Sequence, residues 1–317
     1  MKNIFLMIFF GLLSTEPLFA QNTKPTSAAI IADDIATIIR KNSLFSDSLN
    51  WPILIEEARN ISIKINTPED TKLIYDFFTD KLREKGDNHS FFITGNQIAK
   101  ITTQSDALQP QGRYLGNGIG YIKVPACFNF DKDKDRKFAN NIRLEIKKID
   151  TENTIASWIV DLRQNTGGNM WPMLAGLNAL TKDGVAGYFV TPQGKRSWKV
   201  ENGIAWGAGT IDKYKIKNPN ARIVVLIDSL TGSSGEMTAI SFSGLPNVKF
   251  FGTQSAGYTT ANSGFKLSNG DQLYLATGAA ADRNHKIFTG KITPDFLVKL
   301  GNDGEDTVLD KALQWLR

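Results

Sequence analysis

The chain has 317 residues, 41% of them hydrophobic and 22% charged, with a formal net charge of +5. That usage excludes a disordered chain, a collagen or a polytopic membrane protein, and so mild a charge gives no support to nucleic-acid binding. A single cysteine, Cys127, rules out an intramolecular disulfide and a cysteine-cluster metal site, and the two histidines, His89 and His285, leave little room for a histidine-rich one. If an imidazole serves as a base, it belongs to one of these two.

The first twenty residues read as an export signal (residues 1–20). Lys2 is basic, Ile4 to Leu13 form an apolar run too short to span a bilayer, and Leu18-Phe19-Ala20 suits cleavage before Gln21. A periplasmic or secreted location is expected, or a membrane anchor if the signal stays uncleaved. Residues 21–86 then carry three helical patterns. Ala28 to Lys41 sets Ile30, Ile31, Ile35, Ile38 and Ile39 on one stripe, and Pro52 opens a second helix. The third starts at Thr67 as N-cap, with Pro68 in the first turn and Asp70 at the capping-box position, and stops at Gly86.

From Phe91 the period changes, and residues 87–317 are expected to form one core with a cap. Ile119 to Val124, Ser157 to Leu162, Arg222 to Ile227 and Val248 to Gly252 read as strands. Asp131 to Lys148, Trp171 to Leu180 and Ser233 to Phe242 read as helices between them. This alternation predicts an α/β core with a largely parallel sheet. Phe265 to Thr277 alternates like a hairpin around Asn269-Gly270.

Three constellations could carry chemistry. In Thr231-Gly232-Ser233-Ser234-Gly235-Glu236-Met237 a buried strand delivers the chain to a turn, and a helix starts at the serines. Exposed N–H groups and the positive end of the helix dipole favour an oxyanion there, which suits an acyl-transfer nucleophile; a plain N-cap is the alternative. Asp161-Leu162-Arg163-Gln164-Asn165-Thr166-Gly167-Gly168-Asn169 ends a strand in two glycines, which let backbone N–H groups approach a ligand closely. His89 sits in the short polar loop Gly86 to Ser90, whereas His285 lies in a polar turn that reads as solvated.

Taken in order, these motifs resemble the tail-specific (C-terminal-processing) serine protease family. Asp161 to Gly168 match its strand end, Ser233 to Glu236 its nucleophile helix, Gly252 to Gly257 its glycine turn and Pro294-Asp295 its closing pair. The resemblance implies a mixed, largely parallel ClpP/crotonase-like sheet behind a small helical module. Two departures refine it. The family's lysine base would fall at Tyr258, so a Ser–Lys dyad cannot form there. His89 lies about thirty residues before the first core strand, too few for a PDZ domain. A histidine base, no PDZ domain and a helical module resemble the lantibiotic-cleaving, nisin-resistance branch.

The resemblance implies Ser233 as nucleophile and His89 as general base in a dyad. It implies an oxyanion hole from the N–H of Ser234 with that of Gly168 or Gly167, and a groove lined by Asn169, Met170 and Trp171. Glu236 is read as a structural carboxylate. No metal or cofactor is implied, and the partner is a peptide bound near its C-terminus. The rival expectations are a ligand-binding module of the same fold without catalysis, and general C-terminal processing of exported proteins.

Overall fold

The computed structural model describes residues 28–65, 67, 69–95, 97, 108–128, 131–209, 213–299, 301 and 305–317. The apolar run read as an export signal, and Pro68, lie outside the described residues. The chain divides into two compact units: residues 28–94 with Asn262–Leu275, and Gly95–Ala261 with Ala276–Arg317.

In the smaller unit, α1 (Ala28–Asn42), α2 (Trp51–Ser62) and α3 (Lys72–Arg83) follow the predicted apolar stripes. Ile35 and Ile39 of α1 and Ile74 of α3 are completely buried, while Ile30 at the edge of its stripe is exposed. The predicted capping box is made: Thr67 N–H donates to Asp70 Oδ2 at 2.9 Å, and Asp70 N–H to Thr67 Oγ1 at 3.3 Å. The helices share their core with Leu267, Leu273 and Leu275, which the chain supplies almost two hundred residues later. Those leucines flank the Asn269-Gly270 turn between β11 (Thr260–Lys266) and β12 (Gln272–Asp282). The first part of β12 pairs antiparallel with β1 (Phe91–Ile93). Tyr75 of α3 fastens the turn by donating its hydroxyl to Asp271 Oδ2 at 2.7 Å and accepting from Asn269 Nδ2 at 2.8 Å.

The larger unit contains the predicted strands β3 (Ile119–Lys123), β4 (Ser157–Asp161), β9 (Arg222–Ile227) and β10 (Val248–Gly252). With β2 (Gln111–Tyr114) and β14 (Phe296–Leu297) they form a sheet ordered β14-β10-β9-β4-β3-β2, parallel except for β2 against β3. Both faces are covered, which is why these strands read as continuous apolar runs. Trp158, Val160, Ile223 and Val225 face a core with α4 (Lys132–Glu152), α5 (Met170–Thr181) and α6 (Ser234–Phe242). Ile159, Val224 and Leu226 face the opposite way, against Val308, Ala312 and Leu316 of α7 (Thr307–Leu316).

The expectation of a largely parallel, ClpP/crotonase-like sheet is corrected. The larger sheet is antiparallel. In it β5 (Gly184–Thr191), β6 (Gly194–Glu201), β7 (Ile204–Ala205) and β8 (Ala208–Gly209) form successive hairpins, and β5 and β13 (Ile287–Phe288) pair antiparallel with the end of β12. The physical reason is connection length. Two residues link each of β5 to β6, β6 to β7 and β7 to β8, and only antiparallel strands can be joined by so short a turn. The strand–helix–strand alternation describes only the six-stranded sheet, and residues 184–209 carry none of it.

Candidate active site

Strand β9 ends at Ile227, and the segment Asp228–Gly232 turns the chain into α6. That turn is bonded through its own polar side chains. Asp228 Oδ1 accepts the N–H groups of Leu230 and Thr231 at 3.0 and 2.9 Å, and Thr231, itself fully buried, donates its hydroxyl to Leu162 O at 2.9 Å. At its end Ser233 holds φ +51° and ψ −120°. A side chain rarely adopts this left-handed backbone, and such strain at a sharp strand-to-helix turn is a feature of nucleophile sites; Ser233 is also the N-cap of α6, in a capping box with Glu236. Ser233 is half-buried there, immediately ahead of the first turn of α6.

Glu236 stabilises this conformation. It is completely buried, and its Oε2 accepts the N–H of Ser233 at 2.9 Å and of Tyr258 at 2.7 Å. Its Oε1 accepts the N–H of Gly257 at 2.8 Å and the hydroxyl of Ser255. Burial pushes the carboxyl above its ordinary range, while the four donors favour its charged form. One buried group thus joins the start of α6 to the glycine turn after β10. Tyr258 contributes its backbone N–H to this junction.

The second glycine turn lies against the first residues of α6. A Cβ on Gly167 (φ +117°) would sit 2.9 Å from Ser233 Cβ, and one on Gly168 (φ +99°) would sit 2.1 Å from Cys127 O. Cys127 and Gly168 pair as a parallel bridge, in which Cys127 N–H donates to Gly167 O at 3.0 Å and Asn169 N–H to Cys127 O at 2.6 Å. Ser234 adds a hydroxyl bond to Gly168 O. Asn165, fully buried, ties the two turns together, a role that sequence reasoning did not assign. Its Oδ1 accepts Gly167 N–H at 3.1 Å, its carbonyl accepts Gly232 N–H at 2.9 Å, and its Nδ2 donates to Val124 O at 3.0 Å and Pro125 O at 3.1 Å. Gly167 N–H is therefore already engaged. The N–H groups of Ser234 and Gly168 have no acceptor among the described residues.

The three residues expected to line a groove take different positions. Asn169 is the N-cap of α5: its Oδ1 accepts Trp171 N–H at 3.1 Å, and its Nδ2 donates to Asp135 Oδ2 at 2.8 Å. Burial pushes the Asp135 carboxyl up to about 6, the bond from Asn169 opposing the shift. Met170 is buried in the core, and Trp171 is half-buried with its ring stacked on that of Trp206.

His89 belongs to the smaller unit, in the loop between α3 and β1. Asp87, almost completely buried, shapes this loop by accepting the N–H groups of His89 and Ser90 at 3.0 and 2.9 Å and the Ser90 hydroxyl at 2.6 Å. Asn262 Nδ2 donates to His89 O at 2.7 Å, fixing the backbone from the other side. His89 as a residue is half-buried.

Other motif residues act as scaffold. Arg163 forms bonds to both Asp161 and Asp306, the latter the N-cap of α7, and Tyr121 donates to Asp161 at 2.6 Å. Asp295 accepts the N–H of Phe250 at 2.8 Å and the ammonium of Lys249 at 3.0 Å. Among the described residues no group of three or more His, Cys, Asp or Glu is placed to hold a metal ion, and no helix is long and apolar enough to cross a membrane.

Comparison with known proteins agrees with these motifs. The family model of peptidase family S41 matches residues 118–298. The nisin-resistance protein of Lactococcus lactis subsp. lactis is 30% identical over 280 residues, which cover 86% of this chain and 82% of that protein. A lipoprotein from Streptococcus agalactiae superposes with a TM-score of 0.77 at 27% identity, covering 93% of this chain and 97% of its own. The photosystem II D1 C-terminal processing protease shares the fold, with a TM-score of 0.58 at 13% identity and coverage of 92% and 97%. The chain belongs to peptidase family S41, the tail-specific serine peptidases.

Proposed function

We propose that the protein is an exported serine endopeptidase that cuts peptides near their C-terminus, with Ser233 as nucleophile and His89 as general base. The observation that carries this reading is the backbone of Ser233, held at φ +51° beside the N–H groups of Ser234 and Gly168, which have no acceptor among the described residues. Ser233 Oγ adds to the scissile carbonyl while the His89 imidazole takes its proton. The developing oxyanion accepts from Ser234 and Gly168; Gly167, whose N–H is committed to Asn165, is the weaker candidate. Collapse of the adduct breaks the C–N bond, and the imidazolium returns the proton to the leaving amine. Water, deprotonated by the same imidazole, then releases the acyl group and restores Ser233.

The relationship to a nisin-resistance protein supports a lantibiotic as one substrate, and unstructured C-terminal tails are the other class to try. Wild-type protein is incubated with nisin and with tail peptides, and the cuts are mapped by mass spectrometry. Ser233→Ala and His89→Ala should each lower turnover by roughly a thousand-fold or more in a folded protein, with little further loss in the double variant. Normal turnover by Ser233→Ala would refute the mechanism. Peptide binding without any cleavage would instead favour a binding module.

A further inference from the structure

The hairpins that follow β5 contain an anomaly. Two of their turns have left-handed φ at both central residues, the type I′ pattern: Asn202-Gly203 at +54° and +76°, and Trp206-Gly207 at +43° and +83°. Asn-Gly is the favoured pair for such a turn, because a short polar side chain tolerates that backbone where a bulky one resists it. The chain uses the favoured pair between β6 and β7. Between β7 and β8 it places an indole, which the turn itself does not require.

Trp206 is 44% exposed yet held firmly. Its ring stacks on Trp171 at 5.8 Å and 29°, and the Arg196 guanidinium lies 3.8 Å from its centroid. Phe189 meets Trp171 edge-on at 6.4 Å and faces Arg196 across the β5–β6 pair. An exposed aromatic ring already fixed by its neighbours loses little entropy when it binds, which is how binding hot spots are built. Trp171 opens α5, directly behind Gly167, Gly168 and Asn169, so the stack extends from the turn that faces Ser233.

We propose that Trp206, supported by Trp171 and Arg196, is a specificity subsite that takes an aromatic or large aliphatic side chain of the substrate peptide. The proposal rests on reading Ser233 and Gly168 as the reacting centre, which places the subsite a few residues from the bond cut. The guanidinium over the ring disfavours a lysine or arginine side chain at the same position.

The test measures binding apart from cleavage. Peptides in which Phe, Leu, Lys or Glu is walked through each position are titrated against the full chain carrying Ser233→Ala, by fluorescence anisotropy. One register should favour Phe and Leu over Lys. Adding Trp206→Asn should weaken those peptides about ten-fold and erase the preference, while Trp206→Phe keeps most of it. Asn suits the turn, so thermal unfolding of that variant should stay cooperative. An unchanged Kd and unchanged preference in Trp206→Asn would overturn the proposal, as would equal weakening in both variants with a fallen Tm. Trp206-dependent binding by a protein whose wild type cleaves nothing would uphold the subsite and defeat the peptidase reading. Cleavage with a preference indifferent to Trp206 would do the reverse.

Discussion

Glu236 Oε2 accepts the backbone N–H of Ser233 at 2.9 Å, from three residues further along the chain. The same carboxylate takes the N–H groups of Gly257 and Tyr258 and the Ser255 hydroxyl, so each oxygen faces two donors. In Glu236→Gln the amide NH2 must oppose either the two N–H groups of Ser233 and Tyr258 or, turned over, that of Gly257, since only the Ser255 hydroxyl can rotate to accept from it. Leaving buried N–H donors opposed and unpaired costs about 1–3 kcal/mol each. Thermal unfolding should fall by roughly 10 °C and peptide cleavage should collapse. A variant with wild-type Tm would show that this carboxylate does not hold the turn.

The left-handed backbone of Ser233 predicts a trade between stability and activity. Ser233→Ala and Ser233→Gly both remove the hydroxyl, but only glycine adopts φ +51° without strain. The Gly variant should be the more stable by about 1 kcal/mol, less what glycine costs through the unfolded state, and neither should cleave peptide. Calorimetry that finds the Ala variant equal or better would mean the turn stores no strain.

Gly168 has no space for a side chain, since a Cβ would lie 2.1 Å from the Cys127 carbonyl oxygen. Gly168→Ala must therefore part the Cys127–Gly168 bridge and shift the N–H proposed to meet the oxyanion. Loss of one such donor lowers kcat by about a hundred-fold or more. Steady-state kinetics should show the loss mainly in kcat, with Km changed less; an unaltered kcat would exclude Gly168 from the oxyanion site.

Asp135 predicts a pH effect. Its carboxyl titrates at about 6 in the folded chain, because burial disfavours its charged form, and at the ordinary lower value when unfolded. Between those two values the folded state holds the extra proton, so this group's contribution to stability declines as pH rises through the window. The penalty is absent at pH 3 and complete above pH 7, on the order of 1 kcal/mol after allowing for partial solvent contact. Asp135→Asn keeps an acceptor for Asn169 Nδ2 and removes the buried charge. Its Tm should exceed wild type at pH 8 by about 2–4 °C and match it near pH 3. An equal gain at both pH values would rule out the carboxyl's ionisation as the cause.

Much of the six-stranded sheet was legible because its determinants are local. Apolar runs bounded by turn residues mark β3, β4, β9 and β10, and the helices between them fall within a few residues of their predicted ends. Thr67 with Asp70 and Asn269 with Gly270 state their cap and turn outright, since the bonds that close the cap and the turn span three residues or fewer. The segment 184–209 was not legible. β5 and β6 run eight residues each, but Gly187 interrupts the first and Lys195, Arg196 and Lys199 the second, and β7 and β8 have two residues each; their pairing rests on turns such as Trp206-Gly207, where the residue type argues against the turn it makes.

Composition and motif order were decided by the sequence alone: one thiol, two imidazoles, a serine at a helix start and two glycines after a strand. Which bonds those groups make was decided only in the fold. Asn165 joins two turns, Glu236 gathers four donors, and Tyr75 meets Asp271 across 196 residues. Each satisfies a buried polar group, and burial has no local signature. It is created by the long-range packing that removes water, so the partners it demands cannot be read until the chain has closed on itself.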